Sequence, residues 1–302
     1  MKSLRQSLHK QDLLGLGIMV ILFVVFYFLF DEEILDDYWE TNVILILINI
    51  IMAVSLNLIN GLTGQFSIGH AGFMAVGAYT SAIITVKLGM DFPIALIVAT
   101  VSAAFLGFLI GMPTLRLNGD YLAIATLGLG EIIRIAILNI DYVGGASGFM
   151  GIPRLTTFPI AFWIMVFVVY FIKSFKNSAD GRACLAIREN EIAAETMGIN
   201  TTKYKVMAFT IGAGFAGTPV PVFPLLLHCP PGFLYLHASF DVLTMVVLGG
   251  LGSISGSISG AVLLTAISAA LADYPEWRMV IYSIVLIVLM LNRPQGSLAT
   301  RN

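Results

Sequence analysis

Runs of about twenty apolar residues recur along this sequence, and they constrain the fold more than any other feature. A helix of about 20 apolar residues crosses the hydrocarbon core of a bilayer. Only 16 basic and 18 acidic residues stand among 302, whereas a soluble domain of this length carries roughly 75 charged residues. The sequence therefore predicts an all-α polytopic membrane protein. The apolar runs lie at 13–30, 43–60, 66–86, 92–111, 121–139, 158–172, 206–227 and 278–292.

A further apolar region, 232–272, is broken by the glycine-rich sequence at 249–260. Glycine weakens a helix interior, so this region is predicted to cross twice, or to enter and leave from one side. The expected total is about 8–10 transmembrane helices, including broken or re-entrant glycine-rich segments. All of residues 1–302 then form one transmembrane domain.

The distribution of basic residues predicts the orientation in the membrane. The tail 1–12 holds three basic residues, the loop 173–205 holds six and the tail 293–302 holds two. Short loops rich in Lys and Arg stay on the cytoplasmic side. Both termini and the loop 173–205 are therefore predicted to be cytoplasmic, and the acidic segment 31–40 is predicted to lie outside.

The P-loop and the commonest zinc-protease and serine-hydrolase motifs are absent from the sequence. It contains no G-x-x-x-x-G-K-[ST], so the chain is not expected to bind ATP itself, and it contains neither H-E-x-x-H nor G-x-S-x-G. The four histidines and two cysteines form no repeated pair at metal-ligand spacing. No catalytic residue, metal site or cofactor is predicted for this chain. A net charge of −2 gives no basic surface for nucleic acid.

Two charged residues, Glu131 and Arg134, lie inside a predicted span at a spacing that places them on one helix face. An ionisable pair inside the membrane is a functional hypothesis. The favoured interpretation is an internally neutralised pair that orients the helix within the bundle. An intramembrane enzyme that uses His70 or Glu131 is an alternative function, which no clustered constellation supports.

The loop after the sixth apolar run is longer than topology requires. Residues 182–197 are rich in helix-forming Ala, Glu, Arg and Leu, Gly198 is predicted to stop this helix, and Asn200 begins a cap for the next one. The pattern indicates an amphipathic docking helix for a cytoplasmic partner, and a solvated loop helix is the alternative.

Four segments of the sequence resemble a known family. AAETMGI, at Ala193–Ile199, is similar to the EAA loop of ABC importer permeases, with Ile192 where that motif has Glu. Three other segments resemble branched-chain amino-acid permeases of the LivM type, and the resemblance extends over about residues 40–295. These segments are Gly61–Tyr79, Leu115–Ile135 and Met245–Ala261.

The resemblance implies a permease subunit in the bacterial inner membrane that imports branched-chain, hydrophobic amino acids by alternating access. It implies as partners a LivH-like sibling permease, two cytoplasmic ATPase subunits that bind ATP and Mg²⁺, and an extracytoplasmic amino-acid-binding protein. Permeases for urea, short amides or other amino acids remain alternatives, as does an ion-coupled secondary transporter, which shares broken helices.

In such importers the EAA loop forms a coupling helix that sits in a groove of the ATPase. The Ile at position 192 leaves the register of this contact open. Transferred to this sequence, the coupling contact would fall on Glu191, Ala193, Ala194, Glu195, Met197 and Gly198.

The glycine-rich segments are candidates for the translocation pathway. Broken helices offer N-termini and free carbonyls that suit the carboxylate and ammonium of an amino acid. Tight helix packing through small residues is an equal alternative there, and it is the preferred interpretation of the glycine repeats at 107–111 and 252–260. The residues assigned to the pathway are Gly64, Gln65, Ser67, His70, Gly249, Gly250 and Gly252.

Five prolines between residues 218 and 232 conflict with a continuous span, because proline in a helix interior costs about 3 kcal/mol. Either the helix ends early in a non-helical segment, or paired frameshifts have altered the local sequence. No site residue is assigned there.

Overall fold

The computed structural model describes residues 23–28, 30, 37–114, 117, 119–143, 145, 157–218, 231–271, 284 and 287. All regular secondary structure in these ranges is helical, which confirms the all-α prediction. The principal helices are α1 (Asp37–Asn57), α2 (His70–Ala82), α3 (Phe92–Thr114), α4 (Asp120–Leu138), α5 (Phe158–Asn177), α6 (Ala179–Glu189), α7 (Glu191–Thr196), α8 (Thr201–Gly217), α9 (Pro231–Gly249) and α10 (Ile254–Ala270). The tails 1–12 and 293–302 and most of the proline-rich segment lie outside the described residues.

Several of these helices have the length and apolarity of membrane spans. Among the described residues four helices qualify, namely Tyr38–Leu62, Phe92–Thr114, Asp120–Leu138 and Phe158–Asn177. Shorter apolar helices occupy Ala238–Gly249 and Ile254–Ala270. The chain is therefore a polytopic membrane protein, as predicted.

Helix α1 lies at the centre of the bundle and packs against α5, α8, α9 and α10. Its second half is buried on every side, including the polar residues Ser55 and Asn57. A helix that is apolar all round and also buried belongs to the interior of a large bundle. Every buried polar group on α1 therefore depends on partners supplied by the protein.

The peripheral helices α3, α4 and α5 have the opposite character. Large apolar side chains such as Phe105, Ile124 and Phe167 are each more than 60% exposed. An apolar exterior of this kind suits hydrocarbon rather than water. These faces are therefore suited to contact with lipid.

Close packing through small residues holds the helices together. A Cβ on Gly107 of α3 would lie 2.4 Å from the Cβ of Ala213 on α8. A Cβ on Gly256 or Gly260 of α10 would lie 2.0 Å and 2.2 Å from carbonyl oxygens of α9. Because lipid tails are as apolar as the helices, such backbone approach is a principal source of helix association in membranes. The packing interpretation of these glycines is confirmed.

Candidate functional site

The chain between α1 and α2 is not an α-helix. Helix α1 continues through a π-helical turn, Leu58–Leu62, and the backbone then turns at Gly64, whose φ is 70°. Residues 64–69 have no regular structure until α2 begins at His70. Glycine adopts such a positive φ without strain, whereas most other residues do not. We call residues 61–69 the first break.

Side chains of α1 and of the π-helical turn after it hold the first break in place. Asn60 Oδ1 accepts a hydrogen bond from the Ser67 backbone N–H at 3.1 Å, and Asn60 Nδ2 donates to the Ser67 carbonyl at 3.3 Å. Ser55 Oγ and His70 Nε2 share a hydrogen bond at 2.8 Å. The break therefore runs back along the end of α1, where its backbone polar groups can be satisfied without water.

Three residues assigned to the pathway, two on this break and one directly after it, have polar atoms with no hydrogen-bond partner among the described residues. Gln65 is only 4% exposed, and both its amide nitrogen and its amide oxygen are unpaired. Ser67 Oγ and His70 Nδ1 are also buried and unpaired. Gly64, by contrast, is exposed. A buried polar atom without a partner costs about 1–3 kcal/mol, so the first break and His70 carry hydrogen-bonding capacity that the described part of the chain does not use.

A second break separates α9 from α10. Helix α9 ends at Gly249, and Gly250 and Gly252 have φ values of 99° and 86°. Helix α10 starts where Ser253 Oγ accepts a hydrogen bond from the Gly256 backbone N–H at 3.1 Å. This is an ordinary N-cap, and it fixes the end of the turn. We call residues 249–253 the second break.

The two breaks touch each other. Asn57 Oδ1 accepts a hydrogen bond from the Gly252 backbone N–H at 2.7 Å. A Cβ on Gly61 would lie 2.3 Å from that same nitrogen, so a side chain at position 61 does not fit. The structure thus brings the two predicted glycine-rich segments together at one end of the bundle. We call this contact between Asn57, Gly61 and Gly252 the glycine junction.

Two basic residues from the loop region bind the carbonyl oxygens of the glycine junction. Arg188 Nη1, near the end of α6, donates to the Gly61 carbonyl at 2.8 Å. Lys176 Nζ, in the last turn of α5, donates to the Gly252 carbonyl at 2.8 Å. Carbonyls near helix C-termini lack intrahelical partners and carry partial negative charge, so cations stabilise them. We call Lys176 and Arg188 the cation pair.

The loop region is formed by two short helices rather than the single helix predicted over 182–197. Helix α6 ends at Glu189, and Asn190 in extended conformation caps α7 by accepting the Ala193 backbone N–H at 3.0 Å. The continuous-helix prediction is wrong because Asn190 offers the backbone this alternative partner. The stop at Gly198, with φ 82°, and the cap at Asn200 are confirmed.

The residues assigned to the coupling contact divide into two groups. Glu191, Ala194 and Glu195 are engaged within the chain: Glu191 pairs with Lys205, Ala194 is buried, and Glu195 Oε1 accepts from Thr201 Oγ1 at 2.8 Å. Ala193, Met197 and Gly198 are exposed. The first group holds α7 against α8, and the second group is open to a partner.

A large apolar residue that is exposed on α7 was not assigned to the coupling contact. Ile192 is 77% exposed, and Met197 at the end of the same helix is 82% exposed. The loop thus presents two large apolar side chains outside the spanning helices. The departure of Ile192 from the EAA pattern was the signal that could have identified it.

The predicted charged pair lies on α4. Arg134 Nε is 2.7 Å from Glu131 Oε2, and each side chain is about a quarter exposed. This contact neutralises the two charges within one turn of helix. Among the described residues no group of His, Cys, Asp and Glu could hold a metal ion.

Comparison with known proteins places this chain in a family. Residues 38–290 match the family described as the branched-chain amino acid transport system / permease component. The chain belongs to this permease family. The permease is 35% identical to the high-affinity branched-chain amino acid transport system permease protein LivM of Salmonella typhimurium, over 97% of the chain and 76% of the relative.

Two further relatives extend the comparison. The LivM protein of Escherichia coli is 36% identical to the permease over 84% of the chain and 68% of the relative. The LivH protein of Salmonella typhimurium is 26% identical over 82% of the chain and 90% of the relative. No solved structure matches the permease at a significant level.

Sequence reasoning located both breaks of this permease but missed the residues that join them. In the sequence, Lys176 and Arg188 served only as basic residues that predict orientation. No role was assigned to Asn57, which lies within an apolar run. A polar Asn one turn before a glycine-rich break was the available signal, because buried amides need partners.

Proposed function

We propose that this permease subunit imports branched-chain, hydrophobic amino acids across the bacterial plasma membrane as part of an ABC importer. The observation that carries the proposal is that the loop helices present Ile192 and Met197 outward while Arg188 binds the glycine junction. A loop that is exposed on one side and joined to the helix breaks on the other suits a permease driven by a separate ATPase. The names of the LivM and LivH relatives support the substrate class.

The complete importer contains four kinds of subunit. A LivH-like sibling pairs with this chain, two cytoplasmic ATPase subunits bind ATP and Mg²⁺, and an extracytoplasmic binding protein delivers the amino acid. The absence of a P-loop from the sequence supports the placement of ATP binding on partner chains. Both termini and the loop 173–205 lie in the cytoplasm, an orientation supported by the six basic residues of that loop.

The coupling contact uses the exposed face of α7. A groove of the ATPase receives Ile192, Ala193, Met197 and Gly198, because large apolar side chains make strong anchors when a partner buries them. Glu191, Ala194 and Glu195 act inside the chain and keep α7 seated on α8.

The pathway for the amino acid runs along the two breaks. Gln65, Ser67 and His70 have unpaired polar atoms that can hydrogen-bond a carboxylate or an ammonium group. Broken helices near the substrate are a recurrent solution in transporters. Gly64, Gly249, Gly250 and Gly252 let the backbone turn where the pathway closes. Glu131 and Arg134 orient α4 and take no part in transport.

Reconstitution tests the proposal directly. The chain is co-expressed with its sibling and the two ATPases, and the assembly is placed in liposomes with ATP inside and binding protein with labelled leucine outside. ATP-dependent leucine uptake that exceeds uptake of urea and acetamide is the expected result. Uptake driven by a proton or sodium gradient, with no ATPase bound to the purified chain, would overturn it.

A further inference from the structure

Arg188 contacts both breaks with one side chain. Its Nη1 atom donates to the Gly61 carbonyl at 2.8 Å, and a Cβ on Gly252 would lie only 2.5 Å from that same nitrogen. The backbone of Arg188 is also close, since a Cβ on Gly64 would lie 3.5 Å from its Cα. The C-terminal end of α6 therefore packs on the glycine junction from outside the bundle.

Lys176 approaches the same junction from α5. It binds the Gly252 carbonyl, while Asn57 binds the N–H of that residue. The carbonyl of Gly252 is thus bound by Lys176 of α5, and the N–H of Gly252 is bound by the side chain of Asn57 on α1. Hydrogen bonds from charged donors are about twice as strong as neutral ones. The cation pair therefore makes the strongest polar links between the loop and the breaks.

Helix α6 is firmly attached to the end of α5. A Cβ on Gly181 would lie 2.2 Å from the Phe175 carbonyl, and Ile187 and Cys184 are buried. Ser178 Oγ caps α6 by accepting the Gly181 backbone N–H at 3.1 Å. Helix α6 also packs against α7, so a displacement applied to α7 is carried to α6 and to the guanidinium of Arg188.

We propose that the cation pair transmits movement of α6 and α7 to the glycine junction, so that the state of the ATPase subunits decides whether the two breaks stay together. This inference rests on the proposed function. While Arg188 holds the Gly61 carbonyl and Lys176 holds the Gly252 carbonyl, the ends of α1 and α9 remain joined. When α7 is displaced, both links lengthen and the breaks separate. Arg188 is a positioning residue, since it contacts neither ATP nor the amino acid.

The test compares substitutions on the same loop. Arg188→Gln removes the charge, and Arg188→Lys keeps the charge but loses the planar fork. Arg182→Gln is the matched control, because Arg182 is exposed and donates to the nearby Asn177 carbonyl at 2.8 Å, away from the junction. Each variant is reconstituted as the full assembly, and leucine transported and ATP hydrolysed are measured on the same liposomes.

The ratio of transport to hydrolysis is the decisive quantity, because a merely structural defect lowers both together. Arg188→Gln is expected to lower this ratio about tenfold through loss of a charged hydrogen bond, with the amount of bound ATPase unchanged. Arg188→Lys is expected to give an intermediate ratio, and Arg182→Gln the wild-type ratio. An unchanged ratio in Arg188→Gln, or one lowered equally in Arg182→Gln, would overturn the inference.

Two further outcomes of this experiment can be told apart from each other. If Arg188→Gln does not assemble, Lys176→Met decides, with a lowered ratio in support of the inference and an unchanged ratio against it. If the wild-type assembly itself neither binds ATPase nor transports leucine, the proposed function fails rather than the role of the cation pair.

Discussion

Asn57 Oδ1 accepts the backbone N–H of Gly252 at 2.7 Å, although 195 residues separate the two. The bond ties the end of α1, the central helix, to the turn between α9 and α10. Gly61 approaches the same nitrogen, so positions 61 and 252 meet backbone against backbone. At this end of the bundle two backbone segments are therefore in direct contact, and a side chain at position 61 would push them apart.

We expect Gly61→Ala to destabilise the purified subunit. The added methyl would lie 2.0 Å from Asn57 Oδ1 and 2.3 Å from Gly252 N, and overpacking of this kind costs about 1–3 kcal/mol. Thermal unfolding in detergent measures the effect. Gly128→Ala is the control, because position 128 on α4 opens onto free space. Equal melting temperatures for the two variants would contradict the contact.

Substitution of Gly198 is expected to separate insertion from transport. Gly198→Pro should abolish ATP-dependent leucine uptake, since proline fixes φ near −65°, whereas this position has φ 82°. Proline also removes the N–H that donates to the Glu195 carbonyl at 2.9 Å. Gly198→Asn should retain uptake because Asn tolerates the left-handed region. Immunoblots of membranes show whether insertion is intact, and leucine accumulation by Gly198→Pro would refute the coupling role.

The pair of Glu191 and Lys205 should respond asymmetrically to mutation. Lys205 is buried, whereas the side chain of Glu191 is more than a third exposed. Glu191→Gln leaves a buried ammonium without its carboxylate, at a cost of about 1–3 kcal/mol. Lys205→Met leaves a carboxylate that water can reach, so its cost is smaller.

Thermal unfolding of the two single variants and the double variant measures this difference. Glu189→Gln provides the control, because Glu189 is exposed and lies 3.7 Å from Arg188 Nε, an arrangement worth about 0–1 kcal/mol. A larger loss for Lys205→Met than for Glu191→Gln would contradict the burial of the Lys205 ammonium, and strictly additive losses in the double variant would show that the pair does not hold α7.

Gln65→Leu is expected to raise stability and weaken transport together. Removal of a buried amide with both atoms unpaired should stabilise the subunit by about 1 kcal/mol or more. If that amide contacts the amino acid, the KM for leucine uptake rises. Thr210→Val is the control, since Thr210 Oγ1 is also buried without a hydrogen-bond partner among the described residues, but Thr210 lies on α8 and was not assigned to the pathway. Unchanged KM in Gln65→Leu would exclude Gln65 from the pathway.

The thiol of Cys184 should be unreactive in the folded subunit. Burial on α6 raises the pKa of this thiol to about 11, with a smaller contribution from the charge of Asp180. Because only the thiolate reacts, a Cys229→Ser variant should resist maleimide at pH 7.5 and react fully after denaturation. Because the thiol has a higher pKa in the folded than in the unfolded state, the free energy of unfolding falls as the pH rises from about 9 towards 11. Rapid labelling of native protein at pH 7.5 would show that α6 is not packed as described.

The helices that cross the membrane were predictable because their signal is local. Each span is a run of apolar residues of the length that a bilayer requires, and α3 and α5 lie where the runs at 92–111 and 158–172 predict them. Gly198 was equally readable, since a glycine after a helical stretch is a common C-terminal signal.

The glycine junction was not predictable in the same way. The bonds of Asn57 and Arg188 depend on partners 195 and 127 residues away, and no periodicity in one sequence encodes such distances. The split between α6 and α7 was missed for a different reason: average helix propensity over 182–197 outweighed the single capping residue Asn190. Long-range contacts and single caps are therefore where sequence reasoning failed for this permease.

The exposed side chains of Ile192 and Met197 have a consequence for biogenesis. Under the proposed function, a subunit synthesised without its ATPase partner leaves both apolar side chains exposed to water, where chaperones and proteases can bind them. The subunit is therefore expected to persist in the cell only when its partners are produced in matching amounts. Copies without partners should be degraded quickly.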